Sequence, residues 1–318
     1  MNIYQEILGA EKRIRPYVLK TPLFKSIYLS ELINGAVYFK LESEQITGSF
    51  KVRGAMNKVL SLNDDEKKKG CLTASTGNHA QGMANALNIS GTKGIIFLPE
   101  NAAPSKVEAL KHYNAELKFH GLDCLTTELF AKQYAVENGL TWVSPYNDPR
   151  VIGGQGTIGI EILEDLNDID YVFGCIGGGG MMSGISTYFK ERSPQTKLIG
   201  CLPEKSAEMY LSVQKGEVVV IEEPEETLSD GSAGGLEPDS ITFDICRELV
   251  DDYQTVSEQE IAENIVWMMN KHHKIIEGAA SVALASFKKQ ATKLKGKKVV
   301  IVICGSNISN DTLKTLLK

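Results

Sequence analysis

The sequence predicts an α/β protein with parallel sheets flanked by helices, and two observations predict it. Short apolar runs rich in β-branched residues recur along the chain, and stretches with helical apolar spacing lie between them. The runs are Val37 to Leu41, Gly94 to Leu98, Tyr171 to Ile176, Leu198 to Cys201 and Val299 to Ile303. Each is brief and mostly apolar, as expected of a strand buried on both faces. A helical pattern runs from Glu258 to Ile276, with Ile261, Ile265, Met268 and Met269 on one stripe. Asn147-Asp148-Pro149-Arg150 and the following Gly153-Gly154-Gln155-Gly156 interrupt the alternation near the middle. The acidic, turn-rich stretch from Val219 to Pro238 reads as a surface loop. Two α/β lobes with a cleft between them fit this order.

Composition narrows the function. The 318 residues are 42% hydrophobic and 23% charged, the balance of an ordinary globular protein. A net charge of −6 with no block of basic residues argues against a nucleic-acid footprint. The six cysteines lie far apart and form no Cys-x-x-Cys pair, so neither a zinc site nor a disulfide framework is expected. No apolar run approaches the roughly 18 residues of a membrane span, and the N-terminus has no apolar signal core. The expectation is a cytoplasmic protein acting on a small molecule.

Four segments carry chemistry. Gly177-Gly178-Gly179-Gly180-Met181-Met182-Ser183-Gly184 follows the run ending at Ile176 and precedes a helix through Ile185, Tyr188 and Phe189. Successive glycines let backbone N–H groups turn inward as an anion cradle, and the helix adds its positive end. A tight turn would need only one or two glycines, so four in a row favour phosphate. Lys51, after Thr47-Gly48-Ser49-Phe50, opens a helical pattern (Val52, Ala55, Met56, Val59, Leu60). Alone it reads as a solvated lysine. Chemistry would require burial that favours its neutral amine. Ser75-Thr76-Gly77-Asn78-His79-Ala80-Gln81-Gly82 can grip a carboxylate or a hydroxyl, or serve simply as a helix start. Cys304-Gly305-Ser306-Asn307 follows a strand, where loops line ligand crevices, yet a lone cysteine is commonly structural. The remaining histidines (112, 120, 272 and 273) show no metal-ligand spacing.

In this order and spacing, Ser49-Phe50-Lys51-x-Arg53-Gly54-Ala55, Thr76-Gly77-Asn78-His79-x-Gln81-Gly82, the glycine run and Cys304-Gly305-Ser306-Asn307 resemble the threonine dehydratase and serine racemase family. The likeness extends from Thr21-Pro22-Leu23 through Gly153-Gly154-Gln155-Gly156-Thr157 to Ile276-Glu277-Gly278-Ala279. It implies the two-domain fold type II of pyridoxal-phosphate (PLP) enzymes, like tryptophan synthase β. The large PLP-binding domain would comprise 1–51 and 148–318, and a small mobile domain 52–147. It implies a homodimer that takes a small amino acid as substrate.

The resemblance also assigns roles. Lys51 would form the Schiff base with PLP and then act as general base. Phe50 would pack against the pyridine ring, and Asn78 would bond the ring hydroxyl. Gly177, Gly178, Gly179, Gly180 and Met181 would hold the phosphate. Cys304 would face the pyridine nitrogen as a neutral thiol. Ser75, Thr76 and His79 would hold the substrate carboxylate. The implied reaction converts L-threonine or L-serine to a 2-oxo acid and ammonia.

Some positions depart from the family pattern. The racemases carry serine, their second acid/base, where Thr76 stands, so racemisation remains an alternative and Thr76 a candidate catalytic group. In Gly200-Cys201-Leu202-Pro203, Leu202 replaces the first ligand of the family's cation site, although Glu208 could match a later one, and no metal is expected. Asp230-Gly231-Ser232-Ala233-Gly234-Gly235-Leu236-Glu237 departs from the dehydratase Asp-Gly-Ile-Ala stretch and could select another substrate such as threo-3-hydroxyaspartate. The sequence ends soon after Cys304, without the regulatory domain of biosynthetic threonine dehydratases, so feedback inhibition by isoleucine is not expected.

Overall fold

The computed structural model describes residues 1–318 apart from 114 and 222–224. Among the described residues ten strands occur: β1 (Leu23–Lys25), β2 (Ala36–Leu41), β3 (Cys71–Ala74), β4 (Gly94–Leu98), β5 (Glu116–Phe119), β6 (Thr141–Trp142), β7 (Tyr171–Cys175), β8 (Lys197–Pro203), β9 (Asp252–Val256) and β10 (Lys298–Ile303). They form a six-stranded sheet ordered β1-β2-β10-β7-β8-β9 and a four-stranded sheet ordered β5-β4-β3-β6. Every pairing is parallel except that of β1, which runs antiparallel along β2 at the edge.

The five apolar runs are all strands, and the central ones are buried on both faces, as continuous hydrophobicity requires. Helices supply the covering layers. Gly278–Gln290 is buried along nearly its whole length against the larger sheet. Leu72, Ala74 and Phe97 of the smaller sheet pack against Ala131 and Ala135 of helix Cys124–Asn138.

Two elements differ from the sequence expectation. The glycine-rich stretch 153–156 does not interrupt the fold but lies inside helix Pro149–Asp165. A Cβ at Gly154 would stand 2.5 Å from the Arg53 carbonyl oxygen, and one at Gly184 would stand 2.5 Å from the Gly156 nitrogen. These glycines are close-packing surfaces between helices, not turn residues. The second helix, expected to reach Ile276, ends at His272. His273 takes a left-handed conformation (φ 54°), its N–H bonds to the Met269 carbonyl, and an extended segment leads on to Glu277.

Parallel order brings the carboxyl ends of β2, β10 and β7 side by side. The segments that follow them are 42–51, Cys304–Asn307 and the glycine run. A bridge pairs Ser49 with Gly305, and the Phe50 N–H donates to the Cys304 carbonyl at 3.0 Å. Sheet topology therefore sets Lys51 beside Cys304.

Candidate active site

Helix Lys51–Leu60 starts at the lysine itself. A wholly buried ionic network anchors this helix. Arg53 donates to Glu42 at 2.7 Å and to Glu161 at 2.7 Å, and Lys40 donates to Glu161 at 2.5 Å. Burial alone would raise the Glu161 carboxyl, but Arg53 and Lys40 outweigh it and hold it down to about 2. Inside the cluster two cations face two carboxylates, and the partly exposed Arg15 also reaches Glu161 at 2.7 Å, which makes so dry a cluster tolerable.

A cleft with about 450 Å³ of empty space opens above Lys51. Its floor and walls include Phe50, Lys51, Gly177 to Met181, and Cys304, drawn from three segments far apart in sequence. Lys51 Nζ donates to the Pro145 carbonyl at 2.9 Å and stands 5.4 Å from the centroid of the Phe50 ring. Burial lowers the Lys51 ammonium to about 8, with Cys304 and Glu277 opposing the shift. At neutral pH a substantial minority of such an amine is unprotonated and nucleophilic.

The glycine run shapes an anion cradle. A Cβ at Gly177 would stand 2.5 Å from the Ser232 carbonyl oxygen, and one at Gly178 would land in the Tyr146 ring. Gly179 has φ 84°, in the left-handed region that favours glycine, and helix Gly180–Arg192 begins directly after it. The helix has no side-chain cap, which leaves its first backbone N–H groups open to a bound anion.

Cys304 is buried, and burial pushes its thiol well above the ordinary range, with Glu277 adding to the effect. The thiol is neutral at any physiological pH and lies 3.9 Å from the Glu277 carboxyl.

Glu277 is the group that sequence reasoning passed over. Asn78 Nδ2 donates to both its oxygens at 2.9 and 3.0 Å, and the Asn307 N–H donates to it at 3.1 Å. Asn307 Nδ2 in turn donates to Asn78 Oδ1 at 2.7 Å. Burial raises the Glu277 carboxyl to about 7 despite the Asn78 hydrogen bond. The available signal was a single carboxylate in the otherwise apolar run Ile275 to Ala280, the pattern of a buried, partnered acid. Tyr146, Cys175, Ser232 and Ala279 also line the cleft. Nothing in their local sequence distinguished them, because distant loops bring them there. The stretch from Val219 was expected at the surface. Its residues 222–224 lie outside the described ones, while Gly231 and Ser232 wall the cleft and Ser229, Ser232 and Leu236 are buried.

Ser75 and Thr76 are half-buried in the loop after β3. The Gly77 N–H donates to Ser75 Oγ at 3.2 Å, and helix Asn78–Ser90 follows with no side-chain cap. His79 departs from expectation. Its ring is buried away from the cleft, with Nε2 3.2 Å from the Val143 carbonyl, and burial, aided by Lys51, lowers it to about 3. A neutral, buried ring has no charge to offer a carboxylate. Glu208 accepts from Ser206 at 2.8 Å. Among the described residues no group of three His, Cys, Asp or Glu side chains could hold a metal ion, and no helix is long and apolar enough to cross a membrane.

Comparison with known proteins bears on this site. The model of a family described as pyridoxal-phosphate dependent enzyme matches residues 14–305. The chain is 38% identical over 317 residues to an L-threonine ammonia-lyase of Thermotoga maritima, covering 100% of this chain and 78% of the relative. It is 39% identical over 305 residues to the catabolic L-threonine dehydratase of Escherichia coli, covering 95% and 92%. Threonine deaminase isoform 2 from Solanum lycopersicum superposes with a TM-score of 0.94 at 32% identity, covering 99% of this chain and 92% of that one. Maize serine racemase gives 0.92 at 29%, covering 99% and 96%.

Proposed function

The chain belongs to the family of pyridoxal-phosphate dependent enzymes, and from that premise we propose that it is an ammonia-lyase converting L-threonine to 2-oxobutanoate and L-serine to pyruvate, with release of ammonia. The observation that carries this reading is the convergence of Lys51, the uncapped glycine cradle and the neutral Cys304 thiol on one cleft. The relatives, a threonine ammonia-lyase and a threonine dehydratase, support the substrate.

The cleft fits the cofactor. Backbone N–H groups of Gly177 to Met181 would hold the phosphate, in a cradle that a Cβ would fill. Lys51 would anchor the aldehyde, Phe50 would pack on the ring, Asn78 would meet the ring hydroxyl and Cys304 the ring nitrogen. When bound, the cofactor supplies an electron sink for negative charge at the substrate Cα. A neutral Cys304 thiol would not hold that nitrogen protonated, which suits prompt elimination.

The chain's own groups do the rest. The uncapped start of helix Asn78–Ser90, with Ser75 and Thr76, receives the substrate carboxylate. The Lys51 amine takes the Cα proton, which its burial-lowered affinity for protons permits near neutral pH. Glu277 acts through Asn78 as a positioning residue, fixing the amide by two acceptor oxygens. The β-hydroxyl departs as water with the proton that Lys51 took from Cα, and hydrolysis then gives the 2-oxo acid and ammonia.

We assign 1–51 and 148–318 to the cofactor-holding domain and 52–147 to a smaller mobile one, whose closure would carry the Ser75–Asn78 loop onto the cleft. A cytoplasmic homodimer is the proposed assembly. Phe24, Ile27 and Tyr28, exposed beside the edge strand β1, support a self-interface. Sedimentation velocity at one monomer mass would refute it.

A racemase is the second reading, favoured by the Thr76 hydroxyl in the half-buried loop between β3 and helix Asn78–Ser90. The deciding assay offers L-threonine, L-serine and L-threo-3-hydroxyaspartate and measures 2-oxo acid and D-isomer separately. 2-Oxobutanoate from L-threonine is the expected main product. D-serine without pyruvate would overturn the assignment, and Thr76→Ala would then abolish it.

A further inference from the structure

Helix Cys124–Asn138, which covers the smaller sheet, turns Thr127, Ala131 and Ala135 inward. Its opposite face is apolar as well. Leu122, just ahead of the helix, is 68% exposed, and Leu125, Leu129 and Val136 on it are 68%, 59% and 78% exposed. At about 100° per residue, Leu125, Leu129, Lys132 and Val136 fall within an arc of about 60°. Their spacing alternates three and four residues, which is the a and d seam of a helix that packs against another helix. A helix covering a sheet ordinarily shows water a polar side, so the core of this chain does not account for the second apolar face.

The size of the stripe suits a protein contact. Leu122, Leu125, Leu129 and Val136 together leave roughly 400 Å² of apolar side chain in water, the scale of the largest apolar patch on an ordinary monomer. The core of an interface is about two-thirds apolar, so a surface built around the stripe covers about 600 Å² per partner and about 1,200 Å² in all. That is the lower bound of a stable, specific contact.

The order of charge along the seam says which partner fits. Lys132 occupies the seam position between Leu129 and Val136 and pairs with Glu128, one turn back on the same flank, at 2.7 Å. Both are about a third exposed or less, and they straddle residue 130 near the middle of the stripe. A parallel copy would set glutamate beside glutamate, and a wholly basic or wholly acidic helix would oppose one member of the pair. An antiparallel copy opposes each charge with its complement.

We propose that this stripe pairs with the same stripe of a second copy of the chain, antiparallel about a two-fold axis near residue 130. Glu128 then meets the partner's Lys132, Lys132 meets the partner's Glu128, and Leu125 packs toward the partner's Val136. The contact uses neither the catalytic cleft nor the apolar group beside β1, so it stands apart from the reaction and from the dimer proposed above.

Sedimentation velocity of the holoenzyme over a range of concentrations tests it. Leu125→Glu/Leu129→Glu alters two exposed side chains and is required to keep the parental circular dichroism. Its mass should be half that of the parent, whether or not the group beside β1 also joins two copies. Lys132→Glu alone gathers four carboxylates at the axis and should halve the mass as well, and adding Glu128→Lys should restore it. The proposal is overturned if the parent is a monomer or if the double leucine variant sediments like its parent, the result expected of a stripe that takes a different protein. It is also overturned if Lys132→Glu/Glu128→Lys stays dissociated.

Discussion

Replacing Glu277 by glutamine separates the charge of this buried group from its shape. The carboxyl moves from an ordinary 4.5 to about 7, chiefly through burial. A carboxyl raised on folding favours the protonated folded state. Its stability is intact below the unfolded value and is lost as pH rises through the folded one. At about 1.4 kcal/mol per pH unit, ionising Glu277 costs the folded protein about 3 kcal/mol by pH 8 and under about 1 kcal/mol at pH 5. Glutamine never ionises, and its amide oxygen still accepts from Asn78 and Asn307. Urea unfolding of the cofactor-free protein should therefore show Glu277→Gln gaining on the parent by roughly 2 kcal/mol between pH 5 and pH 8. The same variant should eliminate more slowly, because a single acceptor oxygen orients Asn78 less well than two. A stability gap that stays constant over this pH range would refute the reasoning, since it would mean that the carboxyl carries no buried charge at pH 8.

Other perturbations follow the same physics. With Lys51 freed to act as base once substrate is bound, kcat for L-threonine should rise about tenfold per pH unit below about 8 and level off above it, as the amine loses its proton. A flat profile from about pH 6 to 9 would contradict that role. Arg53→Met strands Glu42 in the interior and strips one cation from Glu161, and should cost about 3–5 kcal/mol in denaturant midpoint analysis. Removing the exposed Lys111–Glu108 pair should cost less than about 1 kcal/mol. Gly177→Ala drives a Cβ toward the Ser232 carbonyl and should weaken pyridoxal-phosphate binding at least about tenfold in equilibrium dialysis, about 1.4 kcal/mol, with the fold intact.

How far the sequence disclosed this protein varies from residue to residue. The buried parallel strands were legible because a strand covered on both faces must be apolar throughout, as in Val299 to Ile303. Short strands such as Cys71–Ala74 and Thr141–Trp142 were not, because two to four residues carry no period. The glycine run declared an anion cradle locally, and the motif order tied it to Lys51 and Cys304. Glu277 and Tyr146 could not be read in the same way. Their work depends on Asn78, Asn307 and the glycine loop, which sheet topology brings near from distant positions. The glycines of 153–156 misled for a related reason. Gly154 and Gly156 are glycines because neighbouring helices press on them, a demand visible only in three dimensions. His79 shared a motif with Asn78 but is buried against the Val143 carbonyl, so the motif could place the loop and not the ring.

The central claim is that Lys51 holds pyridoxal phosphate in covalent linkage, and borohydride reduction followed by peptide mass mapping tests it most directly. The account predicts a yellow protein whose colour is discharged by reduction, with a pyridoxyl-phosphate adduct on the peptide containing Lys51 and none in Lys51→Ala. A colourless protein after incubation with pyridoxal phosphate, or an adduct on any other lysine, would contradict it.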